Sequence, residues 1–232
     1  AVPLGRVAVV GGGNTAMDAA RTALRLGAKE VSVVYRRSRA EMPARATEID
    51  EAMEEGVKFI YLTAPVKVEG KDGQITALTC QKMRLGAPDA SGRQRPEPIP
   101  GSEFDIAVDT VIAAIGQRVD LSGIPGLATS RRGCIAVDES TFQTSLPGVF
   151  AAGDAVTGPD IAIQAVAGGR KAALAIDSYL NGQLRPFVEP YVVKRTDLTP
   201  EDFVQHAKKE RVTIKAQEPS TRVKDFREIE AN

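Results

Sequence analysis

The chain has 232 residues, 43% of them apolar and 26% charged, the composition of a folded protein able to bury a core. Thirty basic residues balance thirty acidic ones, so total charge gives no case for nucleic acid or an anionic membrane as partner, and no apolar run approaches the roughly 20 residues that span a bilayer. Two distant cysteines, Cys80 and Cys134, form no CxxC pair; dithiol, zinc and iron–sulfur chemistry have no support, and without an export signal a reducing cytoplasm is the expected compartment.

Arg6–Val10 reads as a short buried strand, and Asn14 to Leu26 follows at helical spacing with Gly27 as its closing glycine. Between them lies Gly11-Gly12-Gly13-Asn14-Thr15-Ala16, a GxGxxA turn joining strand to helix. Gly11 permits the sharp turn, Gly13 lets the backbone approach a pyrophosphate, and Ala16 lets the helix lie close to the strand. The helix start then offers amide N–H groups and partial positive charge to phosphates. Strand, motif, helix and a second strand at Glu30–Tyr35 together predict a dinucleotide-binding unit.

The end of that second strand selects the nucleotide. An NAD site places an acid there for the ribose 2′-hydroxyl. Here Val34-Tyr35 runs into Arg36 and Arg37, with Arg39 behind and no acid before Glu41. Arginine pairs bidentately with phosphate, so NADPH is expected over NADH, with Arg36 and Arg37 as discriminators.

Pro43 to about Glu55 reads as a helix with proline at its first position, and Val57–Leu62 as a third strand. This alternation means a parallel sheet with right-handed crossovers. The acidic run Glu48, Asp50, Glu51, Glu54 and Glu55 reads as the solvated side of that helix, or as a docking face. Val66–Glu69 and Gln74–Met83 flank a hairpin turn; Gly86–Gly101, rich in Pro and Gly, reads as a loop; Phe104–Val108 adds a strand; and Asp109–Ala114 is a buried strand ending at Gly116. The fold class is therefore α/β, a Rossmann-type domain with a parallel sheet and an antiparallel insertion.

Beyond Gly116, Cys134–Val137 and Val149–Ala152 read as short strands and Pro159–Leu180 as a long helix closed by Asn181-Gly182. A short helix in the charged tail has Thr199 as cap, Pro200 first, and Lys208 and Lys209 near its end. Expected domains are residues 1–116, 117–185 and a polar tail, 186–232. No side chain is singled out as catalytic: His206, the one histidine, lies in the tail and reads as solvated. Tyr-x-x-x-Lys is absent, against a short-chain dehydrogenase.

GGGNTAMDAAR with VVYRRSRAEMPA, together with Ala113–Gln117 and Thr144–Ala155, resembles the glutamate synthase small (beta) subunit and its relatives, two-dinucleotide flavoproteins of the pyridine nucleotide–disulfide oxidoreductase class. The resemblance covers most of the chain and implies that residues 117–185 are the returning part of an FAD-binding domain, with Gly116 at the crossover. It implies that Gly153-Asp154 meets the FAD ribityl chain, and that backbone around Ile161, Ala162 and Ile163 faces the flavin edge, with Gln164 nearby. It also implies hydride transfer from NADPH to FAD and electron transfer to an acceptor subunit. The chain departs from the pattern in having no second GxGxxG and no iron–sulfur cysteines. It reads as a segment of a longer protein that binds NADPH and needs the missing FAD half, a partner or a second copy to complete the rest. An NADP(H)-binding and docking module without turnover is the alternative.

Overall fold

A computed structural model of the chain describes residues 4–89, 92–188, 195–204, 209, 210, 212 and 214–231. It divides into two compact units, Ala1–Ile115 with Glu210–Asn232, and Gly116–Lys209.

The first unit is built on a parallel sheet. Strands β1 (Arg6–Val10), β2 (Glu30–Val34) and β3 (Lys58–Ile60) alternate with helices α1 (Asn14–Arg25) and α2 (Ala46–Glu54). Between β3 and the last parallel strand, β7 (Thr110–Ala113), the chain makes an antiparallel sheet of β4 (Thr63–Lys71), β5 (Gln74–Pro88) and β6 (Gln94–Ala107). The parallel order is β3-β2-β1-β7, with Val9 opposite both Val33 and Ile112. Alternation along β1 and β2 divides the core. Val7, Val9, Val31 and Val33 pack with Ala16, Met17, Ala20 and Ala23 of α1, while Ala8, Val10 and Val34 pack with Leu78, Cys80 and Val108 of the insertion. The expected α/β fold with its insertion is what forms.

The details correct three expectations in this unit. The helix expected from Pro43 begins at Ala46; Ser38 and Glu41 instead close a capping box on a 3-10 turn, Arg39–Glu41, and Pro43 lies outside any helix or strand after it. The segment Gly86–Gly101 is largely strand. Pro96 and Pro98 pair opposite Leu85 and Met83 on edge strand β6, at alternate positions, where missing N–H groups face outward. The acidic run is not simply a wet face. Glu55, its side chain fully buried, receives Arg21 Nη2 at 2.7 Å and Arg25 Nη1 at 2.9 Å from α1, while Arg21 also reaches Glu48 and Glu51.

The C-terminal stretch of this unit joins the same cluster. Strands β8 (Lys215–Ala216) and β9 (Glu230–Ala231) pair, and helix α5 (Pro219–Arg222) carries Arg222, 4% exposed. Its Nη2 donates to Glu54 at 2.8 Å and to the Glu51 carbonyl at 3.3 Å, and its Nε lies 2.8 Å from Glu55 as an ion pair without hydrogen-bond alignment.

In the second unit, α3 (Asp154–Thr157) and α4 (Ala162–Leu180) are the helices. The two expected strands reduce to single bridges, Thr129 with Ile135, Val137 with Thr144 and Gln143 with Phe150, because among the described residues no neighbouring strand extends any of them into a ladder. Helix α4 starts at Ala162 rather than Pro159, with extended Ile161 as its cap. In the tail, Pro200–Phe203 is a 3-10 turn with a Thr199–Asp202 capping box; His206 and Lys208 lie outside the described residues.

Candidate functional site

The glycine turn is shaped by three different neighbours. Gly11 has φ +144°, and a Cβ there would stand 2.2 Å from the Ala114 carbonyl oxygen. Its N–H donates to Val34 and Ala114 donates back to Val10, so the turn is locked between β2 and β7. Gly12 is buried with its back to Tyr35, whose ring a Cβ would meet at 2.4 Å; the Tyr35 hydroxyl is fixed by donating to the Glu41 carbonyl at 2.8 Å. Gly13 differs from both. Its φ is −92°, and a Cβ would find nothing nearer than Pro43 at 4.0 Å. The open side of the turn is therefore at Gly13, where no neighbouring residue excludes a side chain.

Helix α1 starts there without a side-chain cap. Ala16 and Met17 N–H groups donate to the Gly13 carbonyl, and among the described residues those of Gly13, Asn14 and Thr15 have no acceptor. Three adjacent amides beside an open backbone suit a pyrophosphate. Asn14 and Thr15 are exposed, and Ala16 is fully buried against the sheet, which brings the helix close. The Asn14 side chain accepts from Arg45 N–H at 2.9 Å, and Ala44 N–H donates to the Gly12 carbonyl at 3.1 Å, so the start of α2 is stitched to the turn. Arg45 is not among the residues expected from the sequence at this turn; its place just after Met42-Pro43-Ala44 is the local signal for it.

The two arginines at the end of β2 lie in different surroundings. Arg36 is exposed and has no partner among the described residues. Arg37 is 5% exposed, with Nη2 2.8 Å from Asp89 and Nε donating to the Gln94 carbonyl at 2.7 Å. Arg39 is held by Asp50. The first acid after β2, Glu41, is engaged locally by the backbone N–H and hydroxyl of Ser38. Among the described residues, this strand end thus presents one unpaired cation, Arg36, and no free carboxylate.

In the second unit, Gly153 has φ +63° and sits against α4: its added Cβ would lie 3.5 Å from Ala165, and one on Gly168 would lie 3.2 Å from the Gly153 nitrogen. Asp154 begins α3, exposed. At the start of α4 the Ile161 N–H is taken by Asp160, while Ala162 and Ile163 have no acceptor among the described residues. Gln164 is exposed, its N–H bonded back to Ile161. A tight glycine turn under an uncapped helix start fits an anionic or electron-rich ligand edge. Gly116, with φ +95° and open space around it, is the first residue of this unit.

Cys80 is buried between the two sheets, and burial pushes its thiol up to about 11. It is expected to resist alkylation at pH 8 until the protein unfolds; rapid labelling of the native chain at Cys80 would contradict this packing. Among the described residues, no group of three or more His, Cys, Asp or Glu comes together as a metal site, and no helix is long and apolar enough to cross a membrane.

The parallel sheet, the GxGxxA turn and the uncapped helix define a dinucleotide-binding α/β protein. The chain belongs to the pyridine nucleotide-disulphide oxidoreductase family, whose model matches residues 2–169. It is 48% identical over 231 residues to the NADP(+)-dependent formate dehydrogenase subunit beta of Moorella thermoacetica, covering 97% of this chain and 33% of that protein. It is 45% identical to the glutamate synthase [NADPH] small chain of Azospirillum brasilense, over 75% of this chain and 36% of that one. The chain thus spans about a third of the length of these relatives. Among solved structures, the thioredoxin reductase of T. acidophilum aligns with TM-score 0.59 and 26% identity, covering 76% of this chain and 53% of that one.

Proposed function

We propose that this chain is the NADPH-binding portion of a flavoprotein oxidoreductase of the glutamate synthase small-subunit type, with its second unit the returning part of an FAD-binding domain. The observation that carries the reading is the open, uncapped turn at Gly13, with unpaired Arg36 and no free acid at the end of β2. The amides of Gly13, Asn14 and Thr15 would hold the pyrophosphate and Arg36 the 2′-phosphate. Gly153, Asp154 and the amides of Ala162 and Ile163 would meet the flavin. When bound, NADPH and FAD supply the redox step, hydride passing from nicotinamide to flavin, so the chain's residues bind and orient rather than act as acids or bases.

Relatives named as beta or small subunits support a partner that takes the electrons. The exposed Ile161, Ile163 and Val166 on the first turns of α4 support burial of this face against the remainder of an FAD domain or a second copy. With one dinucleotide motif, the isolated chain is expected to bind NADP(H) without turning over an artificial dye when FAD is added; dye reduction by the chain alone would contradict this.

The nucleotide assignment is tested at Arg36. Arg36→Ala is expected to weaken NADPH binding by about tenfold or more, the scale of a lost charge-assisted phosphate contact, and NADH binding by less than about twofold. Equal losses for the two would remove Arg36 from the 2′-phosphate site.

A further inference from the structure

We propose that Asp89 is a positioning residue for nucleotide selection: it clasps Arg37 from the β5–β6 ribbon and so fixes the loop that presents Arg36. This rests on the reading of Arg36 given above. The geometry begins at the ribbon. Beyond Lys82, β5 has left β4 and pairs only with β6, through Met83–Pro98, Leu85–Pro96 and Pro88–Gln94. At its far end Gly92 N–H donates to the Asp89 carbonyl at 2.9 Å and Asp89 N–H to the Arg93 carbonyl at 2.7 Å. Two of the contacts of the Asp89 carboxylate bear on the loop. Oδ1 accepts from Arg93 N–H at 3.3 Å, and Oδ2 from Arg37 Nη2 at 2.8 Å. The Gln94 carbonyl takes Arg37 Nε, so the guanidinium is gripped from both strands of the ribbon.

The same loop is fastened on its other side. Leu62 N–H donates to the Arg37 carbonyl at 3.1 Å, Thr63 N–H to Tyr35, and Met83 N–H to Leu62 at 2.7 Å. Arg37 is thus the point where ribbon, β2 and the β3–β4 connection meet, and Arg36 is the neighbour left facing outward. A cation whose backbone is held in place loses less freedom on meeting a phosphate than one on a slack loop. Arg37 acts as an anchor, and Asp89 reaches the nucleotide only through it.

The test compares Asp89→Ala, Asp89→Asn and Arg36→Ala with the unchanged chain, using NADPH and NADH as the titrants and trypsin cleavage after Arg37 as a separate readout. Asp89→Ala is expected to weaken NADPH binding by about fivefold to tenfold with NADH changed less than about twofold, and to speed cleavage after Arg37 by about tenfold. Asp89→Asn keeps an acceptor for the turn without the charge, and should give a smaller loss in the same direction. Unchanged or tighter NADPH binding in both Asp89 variants, or equal weakening of the two nucleotides, overturns the proposal whether or not cleavage rises. If Arg36→Ala leaves the preference intact, the assignment of Arg36 itself falls, and the proposal with it. If Arg36→Ala abolishes the preference and the Asp89 variants do not, only the clasp fails.

Discussion

Gly13→Ala is expected to fold as the unchanged chain does and to lose most of its affinity for NADPH. The two effects separate because of what surrounds the turn. At φ −92° an alanine is unstrained, and its Cβ would meet only Pro43, at 4.0 Å. The methyl instead occupies the open side of the turn, where the pyrophosphate would contact the amides of Gly13, Asn14 and Thr15. Displacing the phosphates from three N–H groups should weaken binding by at least about tenfold, or ~1.4 kcal/mol. The neighbouring glycines should behave otherwise. Gly11→Ala would place Cβ 2.2 Å from the Ala114 carbonyl oxygen at a φ of +144°, and Gly12→Ala would drive one into the Tyr35 ring at 2.4 Å. Both should lower the melting temperature first. Calorimetric titration with NADPH beside thermal melting distinguishes the cases. A Gly13→Ala chain that binds NADPH as tightly as its parent would place the phosphates elsewhere.

The largest stability effect is expected at Glu55. Its side chain is fully buried, and the side chains of the arginines around it, Arg21, Arg25 and Arg222, are 11%, 8% and 3% exposed. Removing this carboxylate leaves the buried Arg25 guanidinium without a carboxylate among the described residues and takes one partner each from Arg21, which keeps Glu48 and Glu51, and Arg222, which keeps Glu54; breaking a buried pair costs about 3–5 kcal/mol. Glu55→Ala should therefore melt roughly 10 °C lower. It should also release the 214–231 segment to proteolysis, because Arg222 loses its innermost partner. Burial alone would raise the Glu55 carboxyl, but hydrogen bonds from Arg21 and Arg25 outweigh it, and its pKa lies below the ordinary value. A group depressed in the folded state stabilises above its unfolded pKa of about 4.3 and loses that contribution as pH falls through the folded value. The difference in stability between the unchanged chain and Glu55→Gln should accordingly be full at pH 7 and shrink below about pH 4. A Glu55→Ala chain as stable as its parent at pH 7 would mean that the cluster holds nothing together.

The parts of the site legible in the sequence are those that a short stretch determines by itself. GxGxxA carries its meaning within six residues, since turn, open backbone and close helix are local demands on Gly11, Gly13 and Ala16. Absence of an acid after β2 was equally readable, and the capping box that occupies Glu41 is a contact within four residues. What was not legible depends on distant residues. The burial and pairing of Arg37 cannot be read from YRRSR, because its partner Asp89 lies 52 residues on. Glu55 looked solvated because Arg222 lies 167 positions away and its α1 partners more than 25. The Pro-rich segment read as a loop because composition does not show that Pro96 and Pro98 fall two residues apart on an edge. In the second unit, apolar runs at Cys134–Val137 and Val149–Ala152 have strand character, but a strand needs a neighbour, and among the described residues only single bridges form.

The central claim is that the glycine turn and Arg36 together make an NADP(H) site. Titration of the purified chain with NADPH and NADH by calorimetry tests it most directly. The expected result is saturable, one-to-one binding of NADPH at least about tenfold tighter than NADH, a difference of ~1.4 kcal/mol from the 2′-phosphate. Equal affinity for the two, or no binding of NADPH, would contradict it.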